Sequence, residues 1–363
     1  MRIPKILHNH PLFWGLILTP IVITWNGLAS GQKTLLFFMS LLAIVPLAAA
    51  LSYATEHIAE RLGNASGGLL NATMGNMTEL IICLTAIRAG LFDVVKATLA
   101  GVVVTNCLFA LGVSFLAGGM RHHIQKLNMD YVHMQAGLLL LATIALFVPS
   151  MLHVLPVPDI DQALQPMSAA LSVVLVCVYM LSLHFTLVTH SEVFNRRKSL
   201  PARKDNGFPF FVHVTVLAVA TVAIALVSDI FVGTLSDVTV TLNLSQAFVG
   251  FVLVALAGGA AEMYSAIHAA QQNRSELSVA IALGSSSQVT LFIAPVLVFL
   301  SYFLSPTPMN LQFSGPAVLM VLLSTLSITT IVSSRHTTWY TGILLMSIYS
   351  VFAITLYLVR FDQ

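Results

Sequence analysis

Between residues 12 and 360 the chain is a succession of apolar runs about twenty residues long with short polar gaps between them. Runs of this kind leave the backbone little choice. Hydrocarbon offers no hydrogen-bond partner, so every N–H and C=O must be satisfied within its own segment, and only a helix does that for a single run. At about twenty residues per crossing the sequence predicts about eleven spans, over residues 12–30, 35–54, 65–88, 94–118, 133–153, 165–189, 208–231, 246–271, 277–303, 312–333 and 339–360. The composition agrees, since only 8% of the residues are charged where soluble domains have about 25%. The expected fold class is therefore an all-α integral membrane protein. A formal net charge of +2 gives no footing for nucleic acid. Cys83, Cys107 and Cys177 stand singly in apolar runs and read as buried apolar residues, with no spacing for disulfides or zinc.

The third span carries a carboxylate, Glu79, with apolar residues on both sides. A charge at mid-bilayer costs about 2.5 to 3.5 kcal/mol or more, so an acid in that position marks function by default. A shift of 183 residues, from Glu79 to Glu262, lays a second stretch of the same kind on the first: Gly75 falls on Gly258, Ala72 on Ala255, Ala86 on Ala269, Gly101 on Gly284 and Phe109 on Phe292. The chain contains itself twice.

A basic linker, residues 190–207, divides residues 34–189 from residues 208–363, and each part holds five spans. An odd number of spans makes the second repeat enter from the opposite side, giving two inverted five-helix repeats, an arrangement of many secondary transporters. Residues 1–33 supply one extra N-terminal helix. That segment also fits a secretory signal, but Pro20, Trp25 and the lack of a small-x-small cleavage site favour a retained span.

On an unbroken helix Ala72, Gly75, Glu79, Cys83 and Ala86 share one face, as do Ala255, Gly258, Glu262 and Ala269. Small residues allow close helix packing, so both acids are expected to point inward and face each other. The following span of each repeat adds neutral oxygen: Thr105 and Asn106 after Gly101, and Ser285, Ser286, Ser287 and Gln288 after Gly284. Oxygen ligands alone suit a hard cation such as Ca²⁺. The predicted spans have no Lys or Arg at mid-depth to pair with either acid, which disfavours a structural ion pair.

Three stretches carry a resemblance: Gly67-Gly-Leu-Leu-Asn-Ala-Thr-Met-Gly-Asn-Met-Thr-Glu-Leu80, the Gly112-to-Gly119 end of the fourth span, and Ile281-Ala-Leu-Gly-Ser-Ser-Ser-Gln288. They are similar to the signature repeats of the calcium/proton antiporter (CAX) family, within the cation/Ca²⁺ exchanger superfamily, and the likeness covers nearly the whole chain after about residue 35. The resemblance implies that Glu79 and Glu262 bind the cation and exchange it for protons, with Asn76, Asn106 and Gln288 as polar partners. It also implies eleven helices, a divergent first one, and alternating access by sliding of the first two helices of the repeats against the rest. Where the family usually reads Gly-Asn-Ala-Ala-Glu-His, this chain reads Gly258-Gly-Ala-Ala-Glu-Met263. Gly259 removes one amide and Met263 an imidazole, which opens cation preference and proton stoichiometry.

The expected activity is export of cytoplasmic Ca²⁺ in exchange for protons, with no cofactor and with the bilayer as surroundings. The rivals are an exchanger using Na⁺ or carrying K⁺, Mn²⁺ or Cd²⁺, and an intramembrane enzyme built on a carboxylate dyad. Thr78, Ser285 and Ser286 read equally as ligands or as interhelical hydrogen bonds. Asn71 reads as packing, His268 as a proton acceptor, and Glu56 and Glu60, in the cytoplasmic loop before the third span, either as groups that attract cations to the entrance or as the solvated face of a short helix that also carries Arg61. Asp159, Asp161, Asp229 and Asp237 are placed in outer loops. His8, His10, His122 and His123 read as interface residues. Self-association is left open.

Basic residues set the orientation. Arg2, Lys5, Arg61, Arg121, Lys126, the cluster Arg196 to Lys204, Arg274 and Arg335 fall on the side of the N-terminus, against Lys33, Arg88, Lys96 and Arg360 on the other. The positive-inside rule then places the N-terminus in the cytoplasm and the C-terminus outside, with a bacterial plasma membrane as the expected location. Accessibility tags test this: a tag near Arg197 is expected to be reached only from the cytoplasm and one after Gln363 only from outside. Both tags on one side would mean a miscounted span.

Overall fold

The computed structural model describes residues 11–28, 31–62, 64–127, 129–152, 160–189, 209–332 and 335–359. Arg2, Lys5, His8, His10, Asp159, the basic linker and Arg360 lie outside the described residues. A 3-10 segment, Pro11–Ile17, leads into α1 (Leu18–Leu28), α2 (Lys33–Leu62), α3 (Asn64–Met74), α4 (Met77–Arg88) and α5 (Phe92–His122). Then come β1 (Ile124–Lys126), α6 (Met129–Leu152), α7 (Ile160–His184) and α8 (Phe210–Leu242). The second part continues with α9 (Gln246–Gly258), α10 (Ala260–Gln271), α11 (Ser275–Leu304), α12 (Gly315–Val332), β2 (His336–Thr338) and α13 (Trp339–Leu358).

Among the described residues eight helices are long and apolar enough to cross a membrane, and the bent pair α9 and α10 makes a ninth. The first and third predicted spans also form helices, but α1 is short and the third span is split into α3 and α4. The strands β1 and β2 pair antiparallel, Gln125 opposite Thr337, which adds a ribbon to a fold expected to be all-α. Three-residue strands are too short to show a period in the sequence.

Several boundaries differ from the expectation because apolar stripes run past the bilayer-length windows. α2 continues through Leu51, Ala54, Thr55 and Ile58, all buried, so Glu56 and Glu60 stand on a spanning helix and not on a separate short one. Asp229 and Asp237 belong to α8, and Asp237 pairs with Lys33 at 2.8 Å. Cys177 is exposed, on the outward side of α7, whereas Cys83 and Cys107 are buried as expected.

α5 is the most deeply buried of the spanning helices. It crosses α9 backbone to backbone because both carry glycine at the crossing. A Cβ on Gly101 would collide with the Phe251 backbone, and one on Gly250 would come 2.7 Å from Val94 O. Beyond this crossing the polar contacts form two groups. Lys33 meets Asp237, and Lys96 donates to Asn310 Oδ1 at 2.7 Å. In the other group Gln125 Nε2 donates to Ala270 O at 2.8 Å, Ser275 Oγ donates to Gln125 Oε1 at 2.6 Å, and Leu127 N donates to Arg335 O at 3.0 Å.

The crossing predicts an asymmetric response to alanine. Gly101→Ala is expected to destabilise the folded protein by about 1 to 3 kcal/mol, the usual cost of overpacking. Gly233→Ala, where a Cβ meets open space, should stay within about 0.5 kcal/mol. Thermal unfolding in detergent, followed by size-exclusion chromatography, compares the two.

Candidate cation site

The two acid-bearing spans are each broken at the same place in the repeat. α3 ends at Met74 and α4 begins at Met77, with Asn76 at φ −107° and ψ 32° between them. α9 ends at Gly258 and α10 begins at Ala260, with Gly259 at φ −77° and ψ 8°, and the two halves bend by 57°. The frame that lays Glu79 on Glu262 lays Asn76 on Gly259. The continuous face expected from Ala72 to Ala86, and from Ala255 to Ala269, is therefore interrupted. Next to the first break, a Cβ on Gly75 would come 2.7 Å from Asn71 O, so that position takes only glycine.

Because of the breaks, Glu79 and Glu262 both lie in the first turn of their second half-helix. There the unpaired N–H groups carry partial positive charge that favours a carboxylate. Glu79 is 2% exposed. Its Oε1 lies 3.2 Å from where a Gly258 Cβ would be, so glycine at 258 lets the acid of one repeat rest against the break of the other. Glu262 lies within electrostatic reach of Glu79 and of Glu56 on α2. Neither oxygen of Glu79, nor Oε2 of Glu262, makes a hydrogen bond to another residue. Buried carboxylate oxygens left this way are costly unless a cation or a proton satisfies them.

Amides approach both breaks, each from the opposite repeat. Gln288 has its amide 3.7 to 3.8 Å from a Gly75 Cβ position, and Asn106 Oδ1 lies 3.5 Å from that of Gly259. Asn76 occupies the N-cap of α4 but makes no capping bond. Instead its Oδ1 accepts from Ser285 Oγ at 2.7 Å, and Ser285 Oγ accepts from Asn106 Nδ2 at 3.1 Å. The chain of bonds fixes both amides and turns Asn106 Oδ1 toward residue 259. Asn106 lies within the π-helical turn Thr105–Ala110, and Gln288 directly precedes a second one, Val289–Ile293, at nearly the same place in the repeat. Such turns often accompany functional sites.

The structure thus brings Glu79, Asn76, Asn106, Ser285 and Gln288 to the breaks, with Glu262 across from Glu79. It does not gather all the expected oxygens there. Ser286 donates to Ala282 O at 2.8 Å and its hydroxyl lies 3.6 Å from Cys107 Sγ, and Thr105 reaches Tyr349 OH at 3.5 Å. Thr78 is buried on the face next to that of Glu79. Asn71 is exposed. His268 is not aimed at Glu262 but is exposed, 2.8 Å from Gln272 Nε2 and stacked on Tyr264, because it lies on the far side of α10. The sequence reading missed Glu56 as a neighbour of Glu262. The apolar stripe of α2 past residue 54 was the signal that could have found it.

Two interrupted helices, each with an acid just past its break and an amide of the other half beside the break, fit a membrane transporter of the exchanger type. The model of the family described as sodium/calcium exchanger protein matches residues 33–188 and 212–358. A Ca²⁺/H⁺ antiporter of Aphanothece halophytica is 34% identical over 97% of this chain and 97% of its own length. The Ca²⁺/H⁺ antiporter ChaA of Bacillus subtilis (strain 168) is 35% identical over 92% of this chain and 95% of its own. The solved structure of native YfkE superposes with a TM-score of 0.80 at 30% identity, covering 95% of this chain and 100% of YfkE. The chain belongs to the sodium/calcium exchanger protein family and, within it, to the calcium/proton antiporter branch.

Proposed function

We propose that this protein is a Ca²⁺/H⁺ antiporter that moves Ca²⁺ out of the cytoplasm in exchange for protons, across the plasma membrane of a bacterium. The observation that carries the reading is the pair of acids at equivalent helix breaks, in which both oxygens of Glu79 and Oε2 of Glu262 make no hydrogen bond to another of the described residues. Similarity to Ca²⁺/H⁺ antiporters over nearly the full chain supports the choice of ions. Family membership sets the intramembrane enzyme aside.

Ca²⁺ is held between Glu79 and Glu262, with Asn106 Oδ1 and the Gln288 amide oxygen completing a hard, oxygen-only set. Ser285 orients Asn76 and Asn106, and Thr78 and Ser286 contribute less directly. Low-dielectric surroundings and a second carboxylate both disfavour two bare charges, so the acids hold either the cation or protons. Mutually exclusive occupancy couples the two fluxes. The eleven-span count, with α3 and α4 as one span and α1 as the extra one, makes the two halves inverted repeats. The linker side then faces the cytoplasm.

Glu79→Gln and Glu262→Gln are each expected to abolish Ca²⁺ uptake driven by a pH gradient in reconstituted vesicles while leaving the protein folded. Substantial exchange by either variant would end the assignment of that acid.

A second expectation uses the broken symmetry. A side chain at 259 needs a few tenths of an ångström of relief from Ala255 O, 3.2 Å from the Cβ position, and it would enter beside Asn106. Gly259→Asn adds a hard ligand and is expected to raise preference for Ca²⁺ over Mn²⁺ and Cd²⁺, whereas Asn76→Ala weakens all three. Competition uptake with the three cations measures both. An unchanged selectivity in folded Gly259→Asn would mean that residue 259 does not contact the ion.

A further inference from the structure

Two phenylalanines hold the same place in the two halves of the chain, Phe109 on α5 and Phe292 on α11, related by the shift of 183 residues that lays Glu79 on Glu262. Both lie within the π-helical turns, Thr105–Ala110 and Val289–Ile293. Both are half-buried, and each meets a tyrosine from the other half. Phe109 packs on Tyr349 of α13, with ring centroids 5.0 Å apart and planes 43° apart. Phe292 stacks on Tyr179 of α7, with centroids 5.3 Å apart and planes 28° apart.

The helices that supply the tyrosines correspond as well. α7 is the last spanning helix before the linker and α13 the last after it, and α13 packs along the first π-turn as α7 packs along the second. Both helices are otherwise thinly covered: 17% of the apolar stretch of α7 and 28% of that of α13 is buried. Tyr179 and Tyr349 depart from that pattern, at 6% and 5% exposed. Other ring pairs in the chain are not repeated. Phe37 stacks on Phe231 and Phe248 meets Tyr357 edge-on, with centroids 4.9 and 5.5 Å apart, yet the same shift lays Phe37 on Ala220 and Phe248 on Ala65.

A contact kept in both halves points to a demand that both π-turns make. A π-turn fits one extra residue into a helix, with hydrogen bonds from i to i+5, so the residues beyond it are rotated against those before it by about 100°. Asn106 lies in the first turn and Gln288 directly before the second, and the direction of each amide depends on its turn being held. The margins are small. Asn106 Oδ1 comes 3.5 Å from the Cβ position of Gly259, and the Gln288 amide 3.7 to 3.8 Å from that of Gly75. On the first side a polar contact joins the rings, since Thr105 Oγ1 donates to Tyr349 OH at 3.5 Å, and Thr105 is the residue that the shift lays on Gln288.

We propose that Tyr179 and Tyr349 are positioning residues for cation binding: each seats the phenylalanine at the π-turn of the other half and so fixes the direction of the amide there, Gln288 for Tyr179 and Asn106 for Tyr349. Neither tyrosine is itself a ligand. The proposal rests on the assignment of Asn106 and Gln288 to the cation site under the proposed function. It gives the two outlying helices α7 and α13 a part in binding, exercised through the turns they pack against.

Initial rates of Ca²⁺ uptake in reconstituted vesicles under a fixed pH gradient, taken over a range of Ca²⁺ concentrations, separate half-saturation from maximal rate. Tyr179→Leu and Tyr349→Leu are each expected to raise half-saturation by about fivefold, while maximal rate per folded protein changes less than about twofold. Tyr179→Phe and Tyr349→Phe keep the ring and should stay within about twofold on both counts. Phe109→Leu and Phe292→Leu test the same contacts from the other side should a tyrosine variant fail to fold, and Phe109→Leu combined with Tyr349→Leu should be no worse than either alone. Loss of packing alone would lower the amount of folded protein and leave half-saturation where it is. That result in the leucine variants overturns the proposal, as does a leucine effect that the phenylalanine variants share. A second measurement needs no transport: hydrogen–deuterium exchange of the full chain in nanodiscs. Tyr349→Leu should lower protection over residues 105–110 and not over 289–293, and Tyr179→Leu the reverse. Unchanged protection at both turns in both variants overturns the seating whatever ions the protein moves. These local losses in a protein whose wild type moves no Ca²⁺ would support the seating and count against the transport reading instead.

Discussion

The structure depends on two carboxylates held where water is scarce and no protein group hydrogen-bonds their free oxygens. Glu79 is nearly fully buried with both oxygens unmatched, and Glu262 has one such oxygen. In a finished protein core that arrangement would be removed by a partner or by substitution, because a buried unpaired charge is among the costlier features a fold can carry. It is tolerable where a mobile cation or proton is the partner. The rest of the centre is arranged to make the debt modest: helix N-termini behind both acids, glycine at 258 to admit the first, and amides turned toward both breaks.

The breaks couple this local chemistry to packing. An unbroken helix through Glu79 would bury its backbone polar groups and offer the ion side chains alone. Interrupting it at Asn76, and the partner at Gly259, puts half-helix ends at mid-span, which is acceptable only inside protein or beside a cavity. That in turn requires close walls. α5 and α9 provide them by crossing at Gly101 and Gly250, where even one methyl group would meet backbone. Ser285 then serves two amides with a single hydroxyl, donating to Asn76 and accepting from Asn106. The pair α2 and α8 lies outside this tight crossing and is held by an exposed ion pair at one end and a buried ring stack at the other.

Much of this was legible in the residues. Long apolar runs permitted only helices, and an acid in such a run stands out as a functional candidate by default. The repeat announced itself because Glu79 and Glu262 return in the same surroundings of glycine and alanine, and the family motif lies in those same stretches. Asn106, Ser285 and Gln288 were identified because small and polar residues are conspicuous against an apolar background. What could not be read was how each polar group is used. Ser285 and Ser286 look alike in sequence, yet one bridges two amides and the other bonds its own helix beside Cys107. A rotation of 100° per residue separates them, and only the neighbouring helix decides which direction is the centre.

The sequence by itself determined the class of fold, the repeat, the two acids and the family, because each is set by the bilayer's demand on a single segment or by a residue pattern along the chain. The tertiary structure alone decided where the spans break, that Glu56 belongs to a long helix and lies within the field of Glu262, that His268 faces away, and that His57 stacks on His213. These depend on the approach of segments far apart in the chain. Two histidines 156 residues apart in the chain have no relation in sequence, and they acquire one only when antiparallel helices bring their rings into the same buried space.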